Sequence, residues 1–431
     1  MSAVTVGTGG VLEIGGRRSF PIMFSDGPYY DETQLVPPPP PRPAPTPAGD
    51  DAFAELAGSG GTLLRTGMQT WTAAASAMQI TAQAAWLDAA AAHGLGCVVW
   101  LGDLPNLPAR PAGAPPGPQE QLLRTVVGAL RGHPGLVAWK GIDEPANLYR
   151  GDARVAPAGM QRAHDVIREV DPDHPVLVTH APRNVGDLTA YRPTYDICGV
   201  DVYPIAYPPG LHVGDTPTDD LGVVADITRT IAAAAGPKPT WTTLQIAWSG
   251  IVKPDATLRF PSFAQQRFMA YDAIVAGARG LVFFGGHLTK AGDRPLTRQV
   301  DIAHGWNWTF WDTVLRRLVQ ELAPSGLVYP GLVAPPSTIV ATATFADGGG
   351  AAKRIELLVR ETATAVFVFA VKRGGTTTRV RIALPGVKLR AKGYVLGEEP
   401  RMVAAAAAGS GSALTDWFAP WDVHVYKIGK A

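Results

Sequence analysis

GLVAWKGIDEPAN, residues 135–147, is an apolar run that ends on two adjacent acids, Asp143 and Glu144, in front of a proline. A strand buried on both faces of a parallel sheet reads this way, as continuous apolar sequence instead of alternation. Seven further stretches share the form: FPIMF (20–24), GTLLRTGM (61–68), GCVVWLGD (96–103), PVLVTHA (175–181), YDICGVDVY (195–203), PTWTTLQIAW (239–248) and GLVFFGGH (280–287). Helical stretches separate them, for instance 74–93, 119–131, 160–170 and 263–276, each long enough for a crossover between parallel strands. Eight strands in alternation with helices predict a closed (β/α)8 barrel over residues 20–324.

The flanks read differently. GGVLEIGGRRSFPIMF (9–24) predicts a small β-hairpin within residues 1–19 that leads into the first barrel strand. After residue 324 the pattern turns to alternation in STIVATATF, RIELLVRE, TAVFVFAVK, TTRVRIALP and WDVHVYKIG, with Gly- and Ala-rich turns between them. This predicts a C-terminal antiparallel β-sandwich over 325–431. The proline run VPPPPPRPAPTP (36–47) is stiff and unable to join a sheet, so it is placed in the first βα loop.

With 46% hydrophobic and 17% charged residues and a formal net charge of +1, the chain has ample core material and no broad field for nucleic acid or anionic membrane. No run approaches the ~20 apolar residues of a membrane span, and the first residues lack a signal peptide's basic and apolar regions. A soluble protein is expected, cytoplasmic or secreted with its signal removed; no feature fixes an oligomeric state. Cys97 and Cys198 lie inside strand-like runs and are expected as buried thiols. The glycine pairs of GTGG (7–10) and GSGG (58–61) are turn glycines, since neither sits in a phosphate-loop setting.

Barrel active sites form at the carboxyl ends of the strands. In chain order those ends present Asp26; Gln69 and Trp71; Asp103; Asp143 and Glu144; His180 and Asn184; Asp201 and Tyr203; Gln245 and Trp248; and His287. Carboxylates, amides, histidines and tryptophans around one mouth suit a sugar: hydrogen bonds to hydroxyls, ring faces for stacking and acids for proton transfer. Trp100 and Trp241 fall inside strands and are read as core, as are Trp306, Trp308 and Trp311 at near-helical spacing.

Over residues 11–429 the chain resembles (β/α)8 glycoside hydrolases of the large retaining clan that carry a C-terminal β-sandwich. The resemblance rests on VLEIGGRRSFPIMFSDGPYY (11–30), GIDEPAN (141–147), which is similar to the clan's Asn-Glu-Pro signature, GVDVYPI (199–205) and GARGLVFFGGH (277–287). It implies hydrolysis of an O-glycosidic bond in a glycoside or oligosaccharide, no cofactor, and Glu144 as general acid/base. A neighbouring Asp143 anion is one way to hold Glu144 protonated.

Two positions depart from the clan: Asp143 stands where Asn is usual, and Gln245 where the nucleophilic Glu belongs. An amide forms no glycosyl ester at a useful rate. Three readings are open: another carboxylate, Asp201 foremost, partners Glu144; Asp143 orients an acetamido group of the substrate that itself attacks; or the barrel binds sugar without cleaving it, with Gln245 as a contact. A metal-dependent hydrolase using Asp26, His180, Asp201 and His287 is a further alternative, though no metal-ligand motif appears.

Overall fold

A computed structural model describes residues 4–25, 27–28, 45–111, 113–146, 155–207, 220–246, 257–258, 260–285, 301, 304–348, 350–397 and 401–431. Eight parallel strands close a barrel: β4 (Ile22–Phe24), β5 (Leu63–Gly67), β6 (Gly96–Trp100), β7 (Leu136–Asp143), β8 (Val176–His180), β9 (Ile197–Val202), β11 (Thr240–Gln245) and β13 (Gly280–Phe284), with β13 returning to β4. Each lies within one of the eight apolar runs. A short pair, β10 (Ala206–Tyr207) and β12 (Thr257–Leu258), lies outside the barrel.

The connecting helices begin where their sequences cap them. Asp51 accepts from the backbone of Ala54 at the start of α1 (Ala52–Gly58). Proline opens α3 (Pro118–Leu130) and α4 (Pro157–Val170), and a Ser262/Gln265 capping box opens α6 (Phe263–Val275). Between them come α2 (Ser76–Ala91) and α5 (Val223–Ala235). The segment between β8 and β9, Pro182–Thr194, carries an internal Pro193 and winds as 3-10 helix instead of α-helix.

Strand parity sets which side chains enter the barrel. Met23, Leu63, Val98, Leu177, Ile197, Trp241 and Val282 form one cluster inside it. The residues next to them, such as Phe24, Leu64, Val99, Val176, Val200, Leu244 and Phe283, face the helices. The bottom is closed by a three-stranded sheet, β1 (Val4–Val6), β2 (Leu12–Ile14) and β3 (Arg17–Ser19), whose Val4 and Leu12 join the inner cluster.

The C-terminal region holds β14 (Thr342–Phe345), β15 (Ile355–Glu361), β16 (Ala365–Lys372), β17 (Thr378–Leu384), β18 (Leu389–Leu396), β19 (Arg401–Ala408), β20 (Gly411–Phe418) and β21 (Val423–Lys430), an antiparallel eight-stranded sheet in the order β14-β17-β20-β19-β18-β21-β16-β15. In β16 (Ala365–Lys372) Val366, Val368 and Ala370 face a second core with Ile382, Leu414 and Tyr426, while Phe367, Phe369 and Val371 join the barrel's outer core. Period-two alternation thus produces both the sandwich and its attachment; truncating a buried phenylalanine there costs about 3–5 kcal/mol. Three strands, β18 (Leu389–Leu396), β19 (Arg401–Ala408) and β20 (Gly411–Phe418), fall where Gly- and Ala-rich turns were expected. Pairing of Ala404 with β18 and of Ala405–Ala408 with β20 holds the alanine run of β19 extended against its helical propensity.

Candidate active site

Above the apolar inner cluster the same parity carries Arg65 (β5), Trp100 (β6), Lys140 (β7), Thr179 (β8), Asp201 (β9), Thr243 (β11) and Phe284 (β13) toward the mouth. Asp201 and Thr243 lie in register on neighbouring strands, and the Thr243 side chain hydrogen-bonds the Asp201 carboxyl. Burial raises Asp201 well above the ordinary carboxylate range, the negative charges of Asp143 and Glu144 raise it further, and Lys140 opposes them. The three carboxyl groups therefore occupy one electrostatic neighbourhood.

A register shift between Lys140 and Asp143 bulges the end of β7. Bulges of this kind re-aim side chains beside active sites. Here the shift lets the buried Lys140 ammonium pair with the Asp143 carboxylate three residues on. Glu144 follows with φ 45°, one of two non-glycine residues at positive φ among those described; its N–H donates to the Thr179 carbonyl at 2.8 Å. A glutamate in the left-handed region is strained, and such strain gathers at functional sites.

Two cations flank Trp100: Arg65 lies 5.0 Å and Lys140 5.5 Å from its ring centroid. The Arg65 Nε donates to the Ser25 carbonyl at 2.7 Å. Neither cation figured among the strand-end residues, because both lie inside strands. The signal that finds them is a charge within an otherwise apolar run, which is costly to bury without a partner.

Several expected contacts are placed elsewhere. His180 is fully buried on the helix side of β8, its ring 5.7 Å from those of Tyr191 and Tyr195, because Leu177 and Thr179 hold the inner parity. Burial brings its imidazole down to about 4, against the opposing effect of Asp143. Trp71 is buried with its indole N–H on the Trp100 carbonyl at 3.2 Å, so it presents no open ring face for stacking. Tyr203 is buried and stacks on Phe284, centroids 5.7 Å apart.

Gln245 is buried, with its Oε1 accepting from the Ile205 N–H at 2.8 Å and its Nε2 donating to the Ile205 carbonyl at 2.9 Å. Its amide holds the loop after β9. Gln69 and Asp103 are exposed at the rim, linked by the Asp103 N–H to the Gln69 carbonyl at 3.2 Å. Asp26, Trp248 and His287, the Asn184 side chain and residues 36–44 of the proline run lie outside the described residues.

Among the described residues no three His, Cys, Asp or Glu side chains gather as metal ligands, and no helix is long and apolar enough to cross a membrane. Cys97 and Cys198 are buried free thiols, each pushed up to about 12 by burial.

The architecture defines a class: a (β/α)8 barrel with a charged mouth and an attached antiparallel sandwich. No family model matches the chain, and no curated protein matches it. Solved structures do. One described as a glycoside hydrolase aligns with TM-score 0.63 at 13% identity, over 100% of this chain and 97% of the other. AmyP in complex with maltose aligns at 0.52 and 8%, covering 94% and 96%. The α-amylase from Geobacillus thermoleovorans complexed with acarbose aligns at 0.50 and 12%, covering 95% and 98%. At these identities the likeness is one of fold.

Proposed function

We propose that the chain is a glycoside hydrolase cleaving an O-glycosidic bond at the barrel mouth, with Glu144 and Asp201 as its working carboxyl pair. The observation that carries this reading is that carboxyl groups share one site, where the charges of Asp143 and Glu144 raise Asp201. Asp201 is half-buried beside the negative charges of Asp143 and Glu144, and desolvation together with those charges raises it well above the ordinary carboxylate range, which favours its protonated form. Glu144 sits half-buried on the strained strand end at the rim. Glycosidic cleavage needs one protonated and one ionised carboxyl group, separated by environment. Asp201 is then the acid of the resting site and Glu144 the ionised base or nucleophile, the reverse of the order that the clan resemblance implies.

Lys140 acts as a positioning residue. By pairing with Asp143 it engages the carboxylate that substrate-assisted cleavage would require, which favours Asp201 as the partner of Glu144. Gln245, bonded twice to Ile205, gives no support to a purely sugar-binding barrel built around that amide. The substrate class is a glycoside or oligosaccharide; the fold likeness to a structure containing maltose agrees with it.

The test is hydrolysis of a panel of aryl glycosides and oligosaccharides. Glu144→Gln and Asp201→Asn should each lower kcat/KM by about 10²–10⁴-fold, and Asp143→Asn far less. A large loss at Asp143 with a small one at Asp201, confined to N-acetylated sugars, would favour substrate assistance. Oligosaccharide binding by calorimetry without hydrolysis of any substrate would sink the enzymatic reading.

A further inference from the structure

The foot of the barrel, opposite the mouth, gathers cations for which the proposed reaction has no use. Arg18 belongs to β3, Arg279 directly precedes β13, and Arg360 lies in β15 (Ile355–Glu361). Arg279 and Arg360 are each only 7% exposed. A Cβ added to Gly9 would lie 2.5 Å from Pro336 Cδ and 3.4 Å from Arg279 Nη2, so the first glycine turn packs on this guanidinium. Pro336 in turn bridges Arg360 as an antiparallel pair. Arg18 Nη1 donates to the Val333 carbonyl at 3.2 Å, three residues before Pro336. Side chains from the N-terminal sheet, the barrel and the sandwich thus meet at one place.

Carboxylates do not balance Arg279 and Arg360. The Arg279 guanidinium has no hydrogen bond or ion pair among the described residues, and Arg360 reaches only the carbonyl of Val359 at 3.5 Å. Glu361 is taken by Lys430 and Ser337, at 3.0 and 2.6 Å, and Glu13 approaches only Arg18, at 3.7 Å. Burial and the neighbouring guanidinium lower both Arg279 and Arg360 to about 10. Beside Arg18, and not lined by Arg279 or Arg360, opens a cavity of about 740 Å³ whose lining includes Arg17, Arg18, His93, Ser19 and Tyr329 and no acid. Buried guanidinium groups without a counter-charge are costly, and their planar forks match tetrahedral oxyanions.

We propose that Arg279 and Arg360, together with Arg18, bind the phosphate group of a free phosphate ion or a small phosphorylated molecule at the foot of the barrel. The proposal is independent of the glycosidase reading. Calorimetry and thermal melting of the full chain test it, with inorganic phosphate, glucose 6-phosphate and glucose at ionic strength matched with sodium chloride. Saturable binding of phosphate and a raised Tm are expected, weakened roughly tenfold or more in Arg279→Met and in Arg360→Met. Melting of these variants in chloride should be unchanged or higher, since each loses an uncompensated buried cation. Arg279→Lys, which keeps the charge and loses the fork, should bind in between and stands in if the Met variants do not fold. Tighter binding of glucose 6-phosphate than of phosphate assigns the cavity to the organic part; equal binding assigns the site to the free ion. Parent protein that binds neither, or Met variants that bind as the parent does, overturn the proposal.

Discussion

Replacing Lys140 by Met removes the cation that links the two halves of the proposed mechanism. The Lys140 side chain is 4% exposed and that of Asp143 36%, so the pair is buried on one side and wet on the other. Breaking a fully buried pair costs roughly 3–5 kcal/mol; water at Asp143 reduces this to about 1–3 kcal/mol, readable as a lower urea midpoint. The larger consequence is for protons. Loss of a positive charge favours the protonated form of every nearby carboxyl group, and Lys140 is the cation that opposes the upward displacement of Asp201. Both limbs of the kcat/KM profile of Lys140→Met should therefore move to higher pH, while Lys140→Arg, which keeps the charge, stays near the parent. A Lys140→Met profile that overlays the parent, or moves to lower pH, refutes the reasoning.

Gln245→Glu should not restore a nucleophile. A carboxylate still accepts from the Ile205 N–H but repels the Ile205 carbonyl, so we expect about 1–3 kcal/mol of lost stability in chemical denaturation and no gain in hydrolysis. His180→Phe tests a linkage. With the folded imidazole near 4 and the free value at 6.5, the unfolded chain binds more protons between those values, so the parent is fully stabilised above about pH 6.5 and loses stability as pH falls toward 4. That loss amounts to roughly 3 kcal/mol and should vanish in the variant, as urea midpoints at pH 4.5 and 7 will show. Glu144→Gly should abolish hydrolysis yet raise stability by about 0.5–1 kcal/mol through relief of the positive φ; lower stability instead would mean that the φ of 45° carries no strain.

The barrel was legible because burial on both faces leaves a plain record, a continuous apolar run, and helical stretches separated the runs. The direction of each strand-end residue was less so. His180 and Asp201 both close an apolar run, yet Leu177 and Thr179 point inward on one strand and Ile197 and Gly199 on the other, so parity turns His180 away from the mouth and Asp201 into it. Gly199 leaves room beside that position, for a Cβ there would meet Thr179 Oγ1 at 2.9 Å. Lys140 was legible in principle as a charge inside the apolar run LVAWKGI, but the bulge that brings it to Asp143 arises from pairing with β8, which no local pattern encodes. The alanines of β19 are the opposite case, a strong local preference overridden by pairing with β18 at Ala404 and with β20 beyond it.

Gln245 unites these observations. From sequence it marks only a missing acid. In the structure its amide meets both the N–H and the C=O of Ile205, a task that needs a donor and an acceptor on one side chain and that an ionised Glu cannot perform. Ile205 lies four residues beyond Asp201, in the loop that leaves the same strand. The amide at the end of β11 therefore fixes the course of the chain just past the carboxyl group proposed to partner Glu144. The substitution on one strand and the acid on its neighbour are two parts of a single arrangement, and a glutamate at 245 would disturb the loop that frames Asp201.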